Sequence, residues 1–262
     1  MRTPDFKSFC ALGWMGLLIT ALTVQVAGAA QTAEIIQLHY ADRPPYAVSG
    51  ASDEPEGAVA TVTAKVFRQA NIPFAWEKTP VNRQFAILKE NKGLNCAIGF
   101  EKTEERERFG KFTKPVYVSQ PLIAITSLKV NEKNGVTLTH MLSKYTILVK
   151  ENYTQGAIIT KLIANSSNKY VTSVESPQMV QMIARARADF MLLSNDELEY
   201  YVKHGVIDSH DIHVLMLSDV NLRFSRRIMC SKSVSDQVIE KLDRVIATLH
   251  VQPAPYKSVV KP

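Results

Sequence analysis

The sequence predicts an α/β protein of two lobes, and three observations carry that prediction. Short apolar runs alternate with segments of helical period in the order β-α-β-α-β. That order occurs twice, and a further strand and helix follow the second set. With 262 residues, 46% of them hydrophobic and 21% charged, the chain has the composition of a folded globular protein. Its Gly and Pro residues recur with no period, which excludes collagen-like, low-complexity and repeat architectures.

The first thirty residues read as a leader and not as part of the fold. Arg2 and Lys7 precede an apolar run that ends in Ala27, Gly28, Ala29 and Ala30, the layout of a secretory signal peptide, so residues 1–29 are expected to be removed and the mature protein to lie in the periplasm. An uncleaved anchor is the alternative, since the run approaches the ~18 residues that span a bilayer; Gly13, Gly16, Thr20 and Thr23 weaken it. Cys10 precedes most of the apolar run, whereas a lipid-attachment cysteine would follow it. The remaining ~230 residues suit one large domain or two small lobes. They hold two cysteines, Cys96 and Cys230, too few for a disulfide scaffold but enough for one bridge.

Residues 35–40 are an apolar run entering the turn cluster Asp42, Arg43, Pro44 and Pro45, which predicts a buried strand ending in a loop. Val59, Val62, Val66, Phe67 and Ala70 recur at helical spacing. Residues 74–76 form a second strand, residues 81–91 a second helix with Phe85 and Leu88 inward, and residues 96–100 a third strand. The second set begins with strands at 122–126 and 145–149. A helix around Ala157, Ile158, Lys161, Leu162 and Ile163 follows, then a strand at 170–174, a helix at 179–186 and a strand at 190–193. A last strand at 227–230 and a last helix at 234–249 complete two similar units joined by two crossings.

Several chemistries lack their motifs. There is no G-x-G-x-x-G, P-loop, G-x-S-x-G or H-E-x-x-H, so no nucleotide, cofactor, α/β-hydrolase or zincin site is expected. His204, His210 and His213 match no standard ligand spacing and read as a solvated loop, so no metal is expected. The formal charge of +6 could suggest a polyanion partner, but Arg226–Arg227 is the only adjacent arginine pair, and nucleic acid is not expected.

Thr103-Glu104-Glu105-Arg106 follows the third strand, which makes Thr103 an N-cap and places the carboxylates of Glu104, Glu105 and Glu107 where the helix dipole favours them. Arg106 is a cation in that same first turn, against the dipole. It reads either as a surface arginine paired with Glu101 or Glu107, or as a planar fork at a strand's carboxyl end that binds a ligand carboxylate.

Arg43-Pro44-Pro45-Tyr46, Pro80-Val81-Asn82-Arg83, Thr103-Glu104-Glu105-Arg106-Glu107 and Phe112-Thr113-Lys114-Pro115-Val116-Tyr117 together resemble the N-terminal lobe of family 3 periplasmic solute-binding proteins, the polar-amino-acid receptors of ABC importers. Tyr153-Thr154-Gln155-Gly156, Gln178-Met179, Arg187-Ala188-Asp189-Phe190 and Met229-Cys230-Ser231-Lys232 continue in the family's order. The resemblance implies a type II periplasmic-binding-protein fold: two α/β lobes, each a mostly parallel sheet flanked by helices, around a ligand cleft. Lobe 1 would span residues 30–118 and 218–262, and lobe 2 residues 119–217. It further implies that Arg106 binds the carboxylate, that Arg43, Tyr46 and Phe100 border the cleft from lobe 1, and that Thr154, Gln155 and Ser194 face it from lobe 2. A monomer that closes on its solute at a hinge and delivers it to an ABC permease is the implied function.

The family's ammonium-binding aspartate falls at Ser194 here, with Asn195, Asp196 and Glu197 after it, and Phe100 stands where small hydroxyl residues usually line the pocket. A cyclohexadienyl-dehydratase-like enzyme and a ligand-sensing adaptor are the alternatives on the same fold. A sensor carrying its output module is not expected, because the chain ends soon after the last predicted helix. On the family's topology the strand at 227–230 returns beside the third strand, antiparallel, so that Cys96 faces Cys230. A bridge is then expected, and two buried free thiols are the alternative if the register shifts by one residue.

Overall fold

The computed structural model describes residues 34–130, 136–151, 153–220 and 222–255. The expected leader, residues 1–29, lies outside the described residues. Among the described residues no helix is long and apolar enough to cross a membrane.

The first half runs β1 (Ile36–Tyr40), α1 (Ala58–Gln69), β2 (Phe74–Lys78), α2 (Val81–Glu90), β3 (Asn95–Phe100), α3 (Glu104–Glu107) and β4 (Gly110–Phe112). The second contains β5 (Tyr117–Thr126), α4 (Leu138–Lys144), β6 (Ile147–Lys150), α5 (Ala157–Asn165), β7 (Lys169–Thr172), α6 (Ser176–Ala184), β8 (Phe190–Ser194), α7 (Asn195–Lys203) and β9 (His213–Leu215). β10 (Arg223–Ser231) and α8 (Asp236–Thr248) close the chain. The strands lie in the order β2-β1-β3-β10-β5-β8-β6-β7, with β4 beside β10 and β9 beside β5. Each lobe therefore has three parallel strands, and β10 and β5, antiparallel to their neighbours, cross between the lobes.

Burial explains why the strands are apolar runs. In β5, Leu122 and Ala124 enter one core of the second lobe while Ile123 and Ile125 enter the other; in β8, Phe190 and Leu192 divide from Met191 and Leu193 in the same way. A strand covered by helices on both faces has no solvent side, so alternation disappears. The first lobe's main core joins Leu38, Val59, Phe67, Cys96 and Cys230 to Leu242 and Ile246 of α8. Leu88 and Ala97 pack on its other side with Met229, and Phe85, expected inward, packs there half-buried.

The elements at the crossings depart most from the sequence reading. β5 begins at Tyr117 and β10 at Arg223, each several residues before the apolar runs. Their early segments pair with each other, Arg226 opposite Tyr117 and Ser225 opposite Val118, and polar residues there conceal the strands. The short strands β4 and β9 and the seven-residue helix α4 were not expected; all three are too short to establish a period. Cys96 and Cys230 are directly opposed in the β3/β10 ladder and form a disulfide, so the register that would have left free thiols is not the one adopted.

Candidate functional site

The turn after β1 carries two side chains into the space between the lobes. Tyr46 N–H donates to the Arg43 carbonyl at 2.9 Å, closing the Arg43-Pro44-Pro45-Tyr46 turn. The first N–H groups of α1 then lock it: Ala58 donates to the Pro45 carbonyl, and Val59 and Ala60 donate to that of Tyr46, at 2.9–3.0 Å. Gly57 makes this approach possible. Its φ is +121°, and a Cβ there would lie 2.7 Å from both the Pro45 and Tyr46 carbonyl oxygens.

A bulge shapes the opposite wall. Ile228 pairs with Ile98 but Arg227 with Phe100, which leaves Gly99 as an extra residue in β3 at φ +83°. Its carbonyl accepts Arg226 Nη1–H at 3.2 Å. Arg226, only 2% exposed, has its guanidinium carbon over the Tyr46 ring, 3.6 Å from the centroid. Thr103 caps α3 by accepting from Arg106 N–H, as the sequence predicts. The Arg106 side chain does not lie on the surface. It is 8% exposed, donates from Nη1 to the Glu101 carbonyl at 3.0 Å, and sits 5.1 and 5.4 Å from the Phe85 and Phe100 centroids, while Glu107 pairs with Lys102. Burial lowers its pKa, opposed by Glu101 and Glu105.

The second lobe contributes the start of α7. Ser194 caps it in a capping box with Glu197, and Asn195, Asp196 and Glu197 are all buried. Glu197 accepts from Arg43 Nε at 3.0 Å, and the Ser194 and Tyr46 hydroxyls meet at 2.5 Å. Asp196 accepts from Gln120 N–H at 2.8 Å and the Tyr117 hydroxyl at 3.0 Å. Burial disfavours the Glu197 charge, but Arg43 and Arg226 outweigh it and hold the carboxyl below its ordinary range. For Asp196 burial prevails over these hydrogen bonds, and its carboxyl is raised.

These elements enclose a pocket with an empty volume of about 710 Å³, part of it open to solvent. Of the residues predicted from sequence, Arg43, Tyr46, Phe100, Arg106 and Thr154 line it together. Gln155 lines an adjoining cavity beside Tyr153 and Glu197, and Ser194 is fully buried behind Tyr46. The pocket also contains Gln84, Glu101, Tyr153 and Arg226, which the sequence reading did not assign to it. Arg226 carries a signal in its alternation with Phe224 and Ile228, both inward-facing in a strand, although by sequence it stands out only as half of a basic pair. Gly99 was another, since an isolated glycine in a strand marks a bulge or close backbone approach.

No family model matches the chain, and no curated protein matches it in sequence. Solved structures do. A histidine kinase sensor domain with similarity to periplasmic binding proteins aligns over 82% of this chain and 90% of its own, with TM-score 0.64 and 12% identity. The arginine-, lysine-, histidine-binding protein ArtJ of Geobacillus stearothermophilus aligns over 82% and 89%, with TM-score 0.65 and 14% identity. A periplasmic His/Glu/Gln/Arg/opine family-binding protein from Silicibacter pomeroyi, in complex with lysine, aligns over 82% and 90%, with TM-score 0.62 and 16% identity. The fold is that of the periplasmic binding proteins. In a periplasmic-binding-protein fold the pocket described above lies between the two lobes, outside the carboxyl ends of β1 and β3, where open α/β sheets bind ligands.

Proposed function

We propose that this chain is a periplasmic solute-binding protein that clamps a small carboxylate-bearing solute between its lobes and, as a monomer, delivers it to an ABC permease. The observation that carries this reading is the convergence of Arg106, Arg226 and Arg43 on one pocket that also holds four aromatic side chains, Tyr46, Phe100, Tyr153 and Phe224, and a single carboxylate, Glu101. Arg43 is already paired with Glu197, so Arg106 and Arg226 are the cations available to an anion. Planar guanidinium groups in a partly dry pocket favour a carboxylate. The amino-acid-binding neighbours support the same class, among them the substrate-binding protein of an amino acid ABC transporter, 16% identical. The bounds expected from the sequence, 30–118 with 218–262 and 119–217, change at one point in this reading: Val220, Leu222 and Phe224 pack on the second lobe's core, which supports a second crossing within β10. Thermal-shift measurements with amino acids, dicarboxylates and other small anions test the reading: a ligand at ~100 times its Kd adds about 2.7 kcal/mol, and no shift with any of them rejects it.

One observation favours a second reading. Burial raises the carboxyl of Glu101, a pocket residue, above its ordinary value, as a general acid in a dehydratase-like enzyme requires. Recovering the stabilising ligand chemically unchanged after long incubation with the protein would reject the enzyme; a new product in the NMR spectrum would reject simple binding.

A further inference from the structure

Four buried side-chain atoms of the pocket residues have no hydrogen-bond partner among the described residues: Nε and Nη2 of Arg226, Oε2 of Glu101 and Oε1 of Gln84. Arg226 and Gln84 are 2% and 1% exposed, so neither is satisfied by bulk water. Both are fixed by their other atoms. Arg226 donates to the Gly99 carbonyl and sits over the Tyr46 ring, and Gln84 Nε2 donates to the Thr79 carbonyl at 2.6 Å. Buried polar atoms in folded proteins are almost always paired, so a cluster of unpaired ones in a cavity describes the complement of what fills it. Two of the four are donors on a cation; two are acceptors.

We propose that Arg226 and Glu101 read different groups of the ligand: Arg226, with Arg106 lining the same pocket, takes an anionic oxygen, and Glu101, with Gln84, takes an amino or other N–H-bearing group. This rests on the solute-binding reading above. It assigns the donor end of the ligand to the end of β3 in the first lobe. The carboxylates that begin α7 are unsuited to it, since Asp196 is occupied by Gln120 and Tyr117, and Glu197 by Arg43. A dicarboxylate would satisfy the arginines but would set a second anion against Glu101. An N–H-bearing group satisfies both acceptors, and a cationic one would add to Arg226, Arg106, Arg43 and the Thr154 hydroxyl in opposing the burial that disfavours the Glu101 charge.

The test uses the full chain and defined probes: glycine, β-alanine, γ-aminobutyrate and the L-α-amino acids, each beside the acid of the same skeleton without its amino group, with succinate and glutarate as dianions. Isothermal titration gives each Kd. The expected result is that the tightest probe carries an amino group and binds at least tenfold more tightly than its amino-free match. Glu101→Gln is expected to reduce that ratio below threefold, and Arg226→Gln to weaken both members of the pair. An amino-free acid or a dicarboxylate as the tightest probe overturns this inference and leaves solute binding standing, as does an unchanged ratio in a folded Glu101→Gln protein. Binding by none of the probes overturns both. The wild-type comparison separates these outcomes even if a variant fails to fold.

Discussion

Arg106 shows how much a single side chain's placement changes its meaning. In the sequence it is a cation among four acids; in the fold it is packed between Phe85 and Phe100, with one nitrogen on the Glu101 carbonyl. Arg106→Ala is expected to weaken ligand binding at least tenfold with the melting temperature of the ligand-free protein little changed, because a charge-assisted contact exceeds the ~0.5–1.5 kcal/mol of a neutral hydrogen bond. Arg106→Lys should recover little, since an ammonium lacks the fork. Equal ligand-induced stabilisation in the alanine variant would remove Arg106 from the site. Gly57 acts on the site without lining it. Gly57→Ala puts a methyl against two carbonyls and strains a positive φ, so a loss of roughly 1–3 kcal/mol or more is expected in urea denaturation. Its effect could not be inferred from composition, because it depends on which backbone the glycine must approach; Gly99, with nothing within 4 Å of a Cβ there, matters through its positive φ in the bulge.

At the scale of elements, the start of α7 concentrates the contacts between lobes. Ser194→Ala removes the cap and the partner of the Tyr46 hydroxyl; about 1 kcal/mol of stability is expected to be lost for the cap alone, read as a lower urea midpoint. The Arg43–Glu197 pair also gives the fold an acid limb. Folding holds the Glu197 carboxyl below its ordinary value of 4.5, so the unfolded chain binds more protons than the native one in acid. Its contribution is complete above the unfolded value and is lost as pH falls through the lower folded one. The melting temperature of wild type should therefore fall more steeply below about pH 4.5 than that of Glu197→Gln; parallel curves would show that the pair does not control this limb. The legibility of the elements follows their chemistry. β8 and the second half of β5 are continuous apolar runs and were readable, whereas the Arg223–Arg226 and Tyr117–Pro121 segments, polar and paired to each other with an irregular register, were not.

Across the whole molecule, β5 and β10 are the strands that pass between the lobes, so the proposed clamp requires them to act as its hinge. If the arginines and the Tyr153–Thr154 loop grip one solute, saturating ligand should reduce the radius of gyration in small-angle scattering, and an unchanged value would count against a hinged clamp. The Cys96–Cys230 bridge lies on the first-lobe side of the crossing, between strands 134 residues apart in sequence. Replacing both cysteines by serine is expected to cost on the order of 2–5 kcal/mol, about 5–15 °C in melting temperature, without altering the lobe that the bridge does not touch. Two alkylated thiols in protein purified under non-reducing conditions would show that the bridge does not form.

The β-α-β-α-β order, the apolar faces and the cap at Thr103 were determined by the sequence alone, because periodicity and local hydrogen bonding act between residues a few positions apart. The pocket was not. Arg43, Glu101 with Arg106, Tyr153 and Arg226 come from four separate segments, and what each can do depends on which charges and rings the fold sets beside it. Burial decides whether Arg226 is a solvated surface charge or a desolvated anchor, and burial belongs to the packed sheet and not to any short stretch of chain.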